Sequence, residues 1–140
     1  MILYLDTSAL VKLYYDEPGS EKVTGLLRSA RIVASSRLAY VELHSAIGRK
    51  IREGVISPRE VEELRAAFVR DWANYLIVDV SGELITRAAE MTLQHHIRAY
   101  DAIHLASALI LKEKTGTDVE FVSFDREQER AAGKEGLIIV

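Results

Sequence analysis

The sequence predicts an α/β protein, a single domain in which a parallel central sheet of four or five strands is flanked by helices on both faces. Three observations predict it. Ile2 to Leu5 is a run of four apolar side chains, the mark of a strand buried on both faces. Further short apolar runs recur along the chain, each separated from the next by stretches with helical apolar spacing, and such alternation builds parallel sheets. Finally, the first run stops at an acid, Asp6, just where helical spacing begins at Leu10, Val11, Leu13 and Tyr14. In open α/β sheets the carboxyl ends of the strands are where ligands bind.

The remaining elements follow in order. Glu17-Pro18-Gly19-Ser20 is a turn, and Ser20 is placed to cap a helix bearing Val23, Leu26 and Leu27. Ile32 to Ala34 form the second strand, followed by a helix over Arg37 to Glu53 that Gly54 ends. Ser57-Pro58-Arg59-Glu60 is a capping box with proline at the first helical position, opening a helix with Val61, Leu64, Phe68 and Trp72. These two helices make a hairpin. Leu76 to Val80 form a third strand interrupted by Asp79, and Ser81 caps a helix that ends near His95-His96. A helix spans Ala99 to Lys114, a fourth strand Glu120 to Phe124, a short polar helix starts at Asp125, and a last strand runs from Leu137 to Val140.

The 140 residues are a usual size for one domain, and with 49% hydrophobic residues they can bury a real core. The absence of cysteine excludes disulfides and thiolate zinc sites and permits a reducing cytoplasm. The N-terminus enters a strand at once without a basic leader, so no signal peptide is expected. The most apolar helix, Ala102 to Leu111, is too short to span a bilayer. A net charge of −3 gives no general support for binding nucleic acid; that would need local basic patches or a bound cation.

Four acids stand where charge is costly or poised. Asp6 follows the first strand and Asp125 the fourth, so the two come together if those strands are neighbours. Glu42 lies on or beside an apolar helical stripe, between Leu38 and Ala46, and Asp101 opens the most apolar helix. Each has a structural explanation of its own. Asp6 can cap a helix, Asp125 can form a capping box with Gln128, Asp101 suits the positive end of a helix, and Glu42 can pair with Arg37 or Arg49. Four acids aimed at one region nevertheless repel unless a cation neutralises them, and such repulsion should raise their pKa values. Carboxylates without cysteine or histidine suit a hard divalent cation such as Mg²⁺, which polarises a phosphodiester, activates water and stabilises a leaving oxygen.

The stretches ILYLDTSALVKLYYDEPGS, RAYDAIHLASALIL and FVSFD, with the helix-borne Glu42 between them, resemble the PIN-domain ribonucleases, and among these the VapC-type toxins of toxin–antitoxin pairs. The resemblance extends over essentially residues 1–140. It implies an endoribonuclease that hydrolyses RNA using Mg²⁺ or Mn²⁺. Asp6, Glu42, Asp101 and Asp125 would be the catalytic and metal-binding acids, and Thr7 and Ser123 supporting polar residues. It further implies a cognate small antitoxin protein, a homodimer, and no membrane association. The alternatives are a catalytically silent RNA- or protein-binding module on the same fold, or a phospho-receiver domain with Asp79 as acceptor; the latter leaves Glu42 and Asp101 without a role.

Other polar residues carry less. His95 and His96 diverge by about 100° on a helix and do not readily share an ion. His104, three residues after Asp101, is within reach of it and is expected to be structural. Arg49, Lys50 and Arg52 form the most basic short run, a solvated helix end with RNA contact as a second role. Tyr40, Leu43, Ile47, Val61, Leu64, Phe68 and Trp72 make the hairpin more apolar than one sheet face needs, which points to a dimer surface or a partner groove.

Overall fold

A computed structural model describes residues 1–140. β1 (Ile2–Leu5), β2 (Ile32–Ser36), β3 (Leu76–Val78), β4 (Val119–Val122) and β5 (Ile138–Ile139) form one sheet in the order β3-β2-β1-β4-β5, with every pair parallel. The chain leaves β1 toward β2 on one side and later returns to β4 on the other. The carboxyl end of the central strand is therefore a topological switch point.

β1 is buried along its whole length, and its alternation divides the molecule into two cores. Ile2 and Tyr4 face a cluster filled by α5 (Gly82–His95), α6 (Ala99–Thr115) and α7 (Arg126–Lys134). Leu3 and Leu5 face a second cluster filled by α1 (Thr7–Val11), α2 (Ser20–Ser29), α3 (Leu38–Arg52) and α4 (Pro58–Trp72). Helices thus cover both faces. α6, the most apolar helix, keeps Leu105, Ala106, Ala108 and Leu109 buried against the sheet.

Several local signals act as the sequence implies. The Ser57 hydroxyl accepts from Glu60 N at 3.2 Å while Glu60 Oε1 accepts from Ser57 N at 3.2 Å, closing the capping box. Ser81 caps α5 through Leu84 N, and α5 ends at His96 in the left-handed conformation. Other positions differ. Ser20 is the first residue of α2, not its cap; Gly19 holds the cap position with φ +100, and the Ser20 hydroxyl instead accepts from Glu17 N within the preceding turn. α1 stops at Val11, so Leu13 and Tyr14 pack from a turn. β4 ends at Val122, leaving Ser123, Phe124 and Asp125 as the link into α7.

Most of the apolar side chains of the α3–α4 hairpin are spent inside the molecule. Leu43, Ile47, Leu64 and Phe68 are buried in the second core, and Trp72 and Val61 pack against it. Tyr40, Val41 and Val69 remain exposed on the hairpin.

Candidate active site

β1 and β4 pair from Ile2↔Val119 to Leu5↔Val122, and Asp6 N continues the ladder by donating to Val122 O at 3.1 Å. The segments that leave these strands, Asp6-Thr7-Ser8 and Ser123-Phe124-Asp125, are therefore side by side. Glu42 reaches the same place from α3, and Asp101 from the first turn of α6. All four acids line one cavity of about 190 Å³ together with Thr7, Ser8, Arg98 and His104, and none of its lining residues is hydrophobic.

Each acid is held differently. Asp6 is 3% exposed. Its Oδ1 caps α1 by accepting from Ala9 N at 2.9 Å and also accepts from the Ser8 hydroxyl at 2.6 Å. Burial raises its pKa from the ordinary value, and His104 with the hydrogen bonds of Ser8 and Ala9 opposes this only in part. Glu42 Oε1 accepts from the Thr7 hydroxyl at 2.6 Å and stands 2.8 Å from His104 Nε2. Burial would raise Glu42 as well, but the hydrogen bond and charge of His104, with Thr7, outweigh it and leave its pKa lowered. The expectation that all the clustered acids are pushed up by mutual repulsion therefore fails at Glu42, and at Asp6 the leading cause is burial. Neither Arg37 nor Arg49 pairs with Glu42; Arg37 instead meets Asp79 at 2.7 Å on the exposed surface.

Asp125 is the cap of α7, its Oδ1 accepting from Glu127 N at 2.9 Å and Gln128 N at 3.2 Å. The capping box is only half formed, because the Gln128 side chain serves elsewhere. Fully buried, Gln128 donates from Nε2 to Asp101 O at 3.0 Å and accepts from the Ser123 hydroxyl at 3.2 Å, tying the start of α6 to the end of β4. That clamp is what sets Asp101 beside Asp125. The guanidinium of Arg98 bridges the two carboxylates, with Nε 3.1 Å from Asp101 Oδ2 and Nη2 3.3 Å from Asp125 Oδ2.

Three cavity residues had no site role in the sequence. Ser8 orients Asp6, Arg98 bridges Asp101 and Asp125, and His104 turns away from Asp101 to bind Glu42, Thr7 and Tyr4. The i, i+3 spacings of Arg98 with Asp101 and of Asp101 with His104 were the signals that pointed to two of them. The two adjacent histidines separate as expected, His95 pairing with Glu135 at 2.6 Å.

The donor chemistry fits a hard divalent cation. The cavity is polar throughout, it offers carboxylate oxygens from four separate elements, and a guanidinium already stands in for positive charge between two of them. No three of its carboxylates and histidines are gathered as an ion-binding group in this structure. No helix is long and apolar enough to cross a membrane.

An all-parallel five-stranded sheet with acids collected at its switch point defines a PIN-like α/β domain. The chain belongs to the PIN domain family, whose family model matches residues 3–134. Among curated relatives, Ribonuclease VapC49 of Mycobacterium tuberculosis is 32% identical over 108 residues, covering 77% of this chain and 75% of that protein. Ribonuclease VapC46 of the same species is 30% identical over 139 residues, covering 99% and 95%. The crystal structure of M. tuberculosis VapC20, a toxin that cleaves the sarcin–ricin loop, superposes with a TM-score of 0.70 at 19% identity over 97% of this chain and 96% of that one. VapBC2 from Rickettsia felis bound to a promoter DNA fragment gives a TM-score of 0.67 at 18% identity over 100% and 98%. At these identities the two structures speak to the fold alone.

Proposed function

We propose that this protein is a divalent-metal-dependent endoribonuclease that hydrolyses RNA phosphodiester bonds as the toxin of a toxin–antitoxin pair. The observation that carries the reading is the convergence of Asp6, Glu42, Asp101 and Asp125 from four elements on one wholly polar cavity at the sheet's switch point. A bound Mg²⁺ or Mn²⁺ would supply Lewis-acid activation of the phosphodiester and of water. The chain's own residues hold and aim the ligand oxygens. Ser8 and Ala9 N fix Asp6, Thr7 and His104 fix one oxygen of Glu42, and Gln128 fixes the backbone that carries Asp101. Ser123 supports Asp125 by accepting from its N–H at 3.1 Å.

The acidic net charge does not oppose this reading, because the cations are local. A neighbouring cavity of about 440 Å³ shares Thr7, Ser8 and Glu42 with the acidic one and adds Lys12, Arg49, Lys50 and Tyr100. Lys12 and Lys50 share a single acid, Glu17, at 3.0 and 3.4 Å. RNA entering the site would pass these cations, and the place of action is the cytoplasm.

The partners are an antitoxin and a second copy of the chain. Tyr40, Val41 and Val69, among the apolar residues exposed on the α3–α4 hairpin, are the surface proposed for self-association.

The test is cleavage of mixed-sequence RNA with and without Mg²⁺. Asp6→Asn and Asp101→Asn should each abolish Mg²⁺-dependent cleavage with the fold intact, and Asp125→Asn should cost less. Near-normal activity of Asp101→Asn at saturating Mg²⁺ would refute the site. Light scattering should give a dimer, and adding a cognate antitoxin should stop cleavage.

A further inference from the structure

Arg98 is the one arginine or lysine lining the acidic cavity, and its side chain is 81% exposed at the rim. It does no evident structural work. It occupies the cap position of α6 but makes no side-chain capping bond, and its contribution to the helix is its backbone carbonyl, which accepts from Ala102 N at 2.9 Å. Its guanidinium is spent wholly on Asp101 and Asp125. That contact has a consequence for Asp125. One oxygen of Asp125 is committed to capping α7 and the other to Arg98, so Asp125 has no oxygen free for an ion while Arg98 stays.

Asp101 and Asp125 would release the guanidinium if a bound divalent cation supplied their positive charge instead. The exchange is cheap, since ion pairs made by so exposed a side chain are weak. The displaced side chain remains tethered at the rim, beside the place where a polyanionic strand must come to be cut. A planar guanidinium matches the paired oxygens of a phosphodiester better than any other side chain. We propose that Arg98 grips the RNA backbone next to the scissile bond, and that Asp101 and Asp125 hold it in store until the divalent cation displaces it. This rests on the nuclease reading and adds to it a residue that recognises substrate.

The experiment compares the full-length wild type with Arg98→Gln and Arg98→Lys by two measurements. The first is calorimetric titration with Mg²⁺ in the absence of RNA. Arg98→Gln should bind the ion about fivefold more tightly, because a competitor has been removed. The second is steady-state cleavage of mixed-sequence RNA oligonucleotides at saturating Mg²⁺ over a range of salt concentrations. Arg98→Gln should raise KM about tenfold with kcat little changed, and should flatten the logarithmic salt dependence of kcat/KM by roughly 0.7, the loss of one phosphate contact on a single strand. Arg98→Lys keeps the charge without the fork and should fall between.

Unchanged KM and salt dependence in Arg98→Gln, with wild-type cleavage intact, would overturn the assignment alone. Weaker Mg²⁺ binding by Arg98→Gln would also overturn it, since Arg98 would then be a prop of the site. A wild type that neither binds nor cuts RNA would overturn the nuclease reading and this assignment together.

Discussion

His104 Nε2 lies 2.8 Å from Glu42 Oε1, joining the most buried imidazole of the protein to an acid whose pKa is lowered. The Thr7 hydroxyl donates to the same oxygen, and the other ring nitrogen, Nδ1, is 2.9 Å from the Tyr4 hydroxyl. The network is satisfied with Nε2 donating to Glu42 and Nδ1 paired with the Tyr4 hydroxyl, roles assigned from the partners. One carboxylate oxygen is thereby pinned, and Oε2 is left without a protein hydrogen bond. His104→Ala should remove the pin, take the ring partner from the buried Tyr4 hydroxyl and leave a cavity. We expect a loss of about 2–4 kcal/mol in thermal or urea unfolding and a fall of about 10–100-fold in RNA cleavage. Wild-type activity in a folded His104→Ala would show that Glu42 needs no orientation.

Asp125 has two duties that substitution can separate. Its Oδ1 caps α7, and its charge faces the cavity. Asn keeps the cap and loses the charge, whereas Ala loses both. Asp125→Asn should therefore unfold close to the wild type, Asp125→Ala about 1 kcal/mol below it, and the two should have similarly reduced cleavage. Thermal melts and the RNA assay check both halves. An Asn variant as unstable as the Ala variant would mean that the charge, through Arg98, matters more than the cap.

These details mark the limit of what the sequence discloses. The buried run Ile2 to Leu5, the Ser57 capping box and the Ser81 cap were legible because each is written in consecutive residues. Asp6 and Asp125 could be expected in one cavity on the condition that strands 1 and 4 are neighbours, which their pairing meets. Gln128 was not legible. The sequence made it a local capping partner, while its side chain goes to Asp101 O, on an element 27 residues away. His104 was expected near Asp101, its neighbour on one helix, and was drawn instead to Glu42, 62 residues away, by the need to satisfy both ring nitrogens in a core. The hairpin's apolar excess was overstated because α3 and α4 both contribute to the second core. Sequence spacing reports contacts along an element, and these were decided between elements.

The raised pKa of Asp6 gives a pH dependence with a definite sign. Burial is the leading cause, so the folded state prefers the protonated carboxyl more than the unfolded chain does. Below the unfolded pKa of about 3.9 both states are protonated and there is no penalty. As pH rises from there through the folded pKa the ion-free protein loses stability, and above it the penalty is constant. Asp6→Asn removes the penalty. In EDTA it should be more stable than the wild type near neutral pH, by on the order of 1 kcal/mol, with the gap closing as pH falls toward 4. Mg²⁺ should stabilise the wild type and the variant much less. Melts at several pH values, with EDTA and with Mg²⁺, decide it. A gap that is independent of pH would mean that Asn acts through packing and that charge burial contributes nothing.

Gly19 lies far from the cavity in sequence and is coupled to it through Phe124. Its φ of +100 already disfavours any side chain, and a Cβ built there would stand 2.6 Å from Phe124 Cε1 and 3.0 Å from Lys12 Cδ. Phe124 N donates to the Ser8 hydroxyl at 3.0 Å, and that hydroxyl donates to Asp6 at 2.6 Å. A shift of Phe124 large enough to carry its backbone N along would pull on the hydrogen bond that aims Asp6. Gly19→Ala should cost about 2–3 kcal/mol, part from the left-handed backbone and part from the clash, and should lower cleavage as well. Phe124→Ala removes the clash but not the backbone cost. In a double-mutant cycle, adding Gly19→Ala to Phe124→Ala should then cost only about 1 kcal/mol further. Gly25→Ala is the control: it sits within α2 with nothing within 4 Å of a new Cβ, and should stabilise by about 0.5–1 kcal/mol without touching activity. Full additivity of Gly19→Ala and Phe124→Ala would break the proposed link, leaving backbone conformation as the whole reason for the glycine.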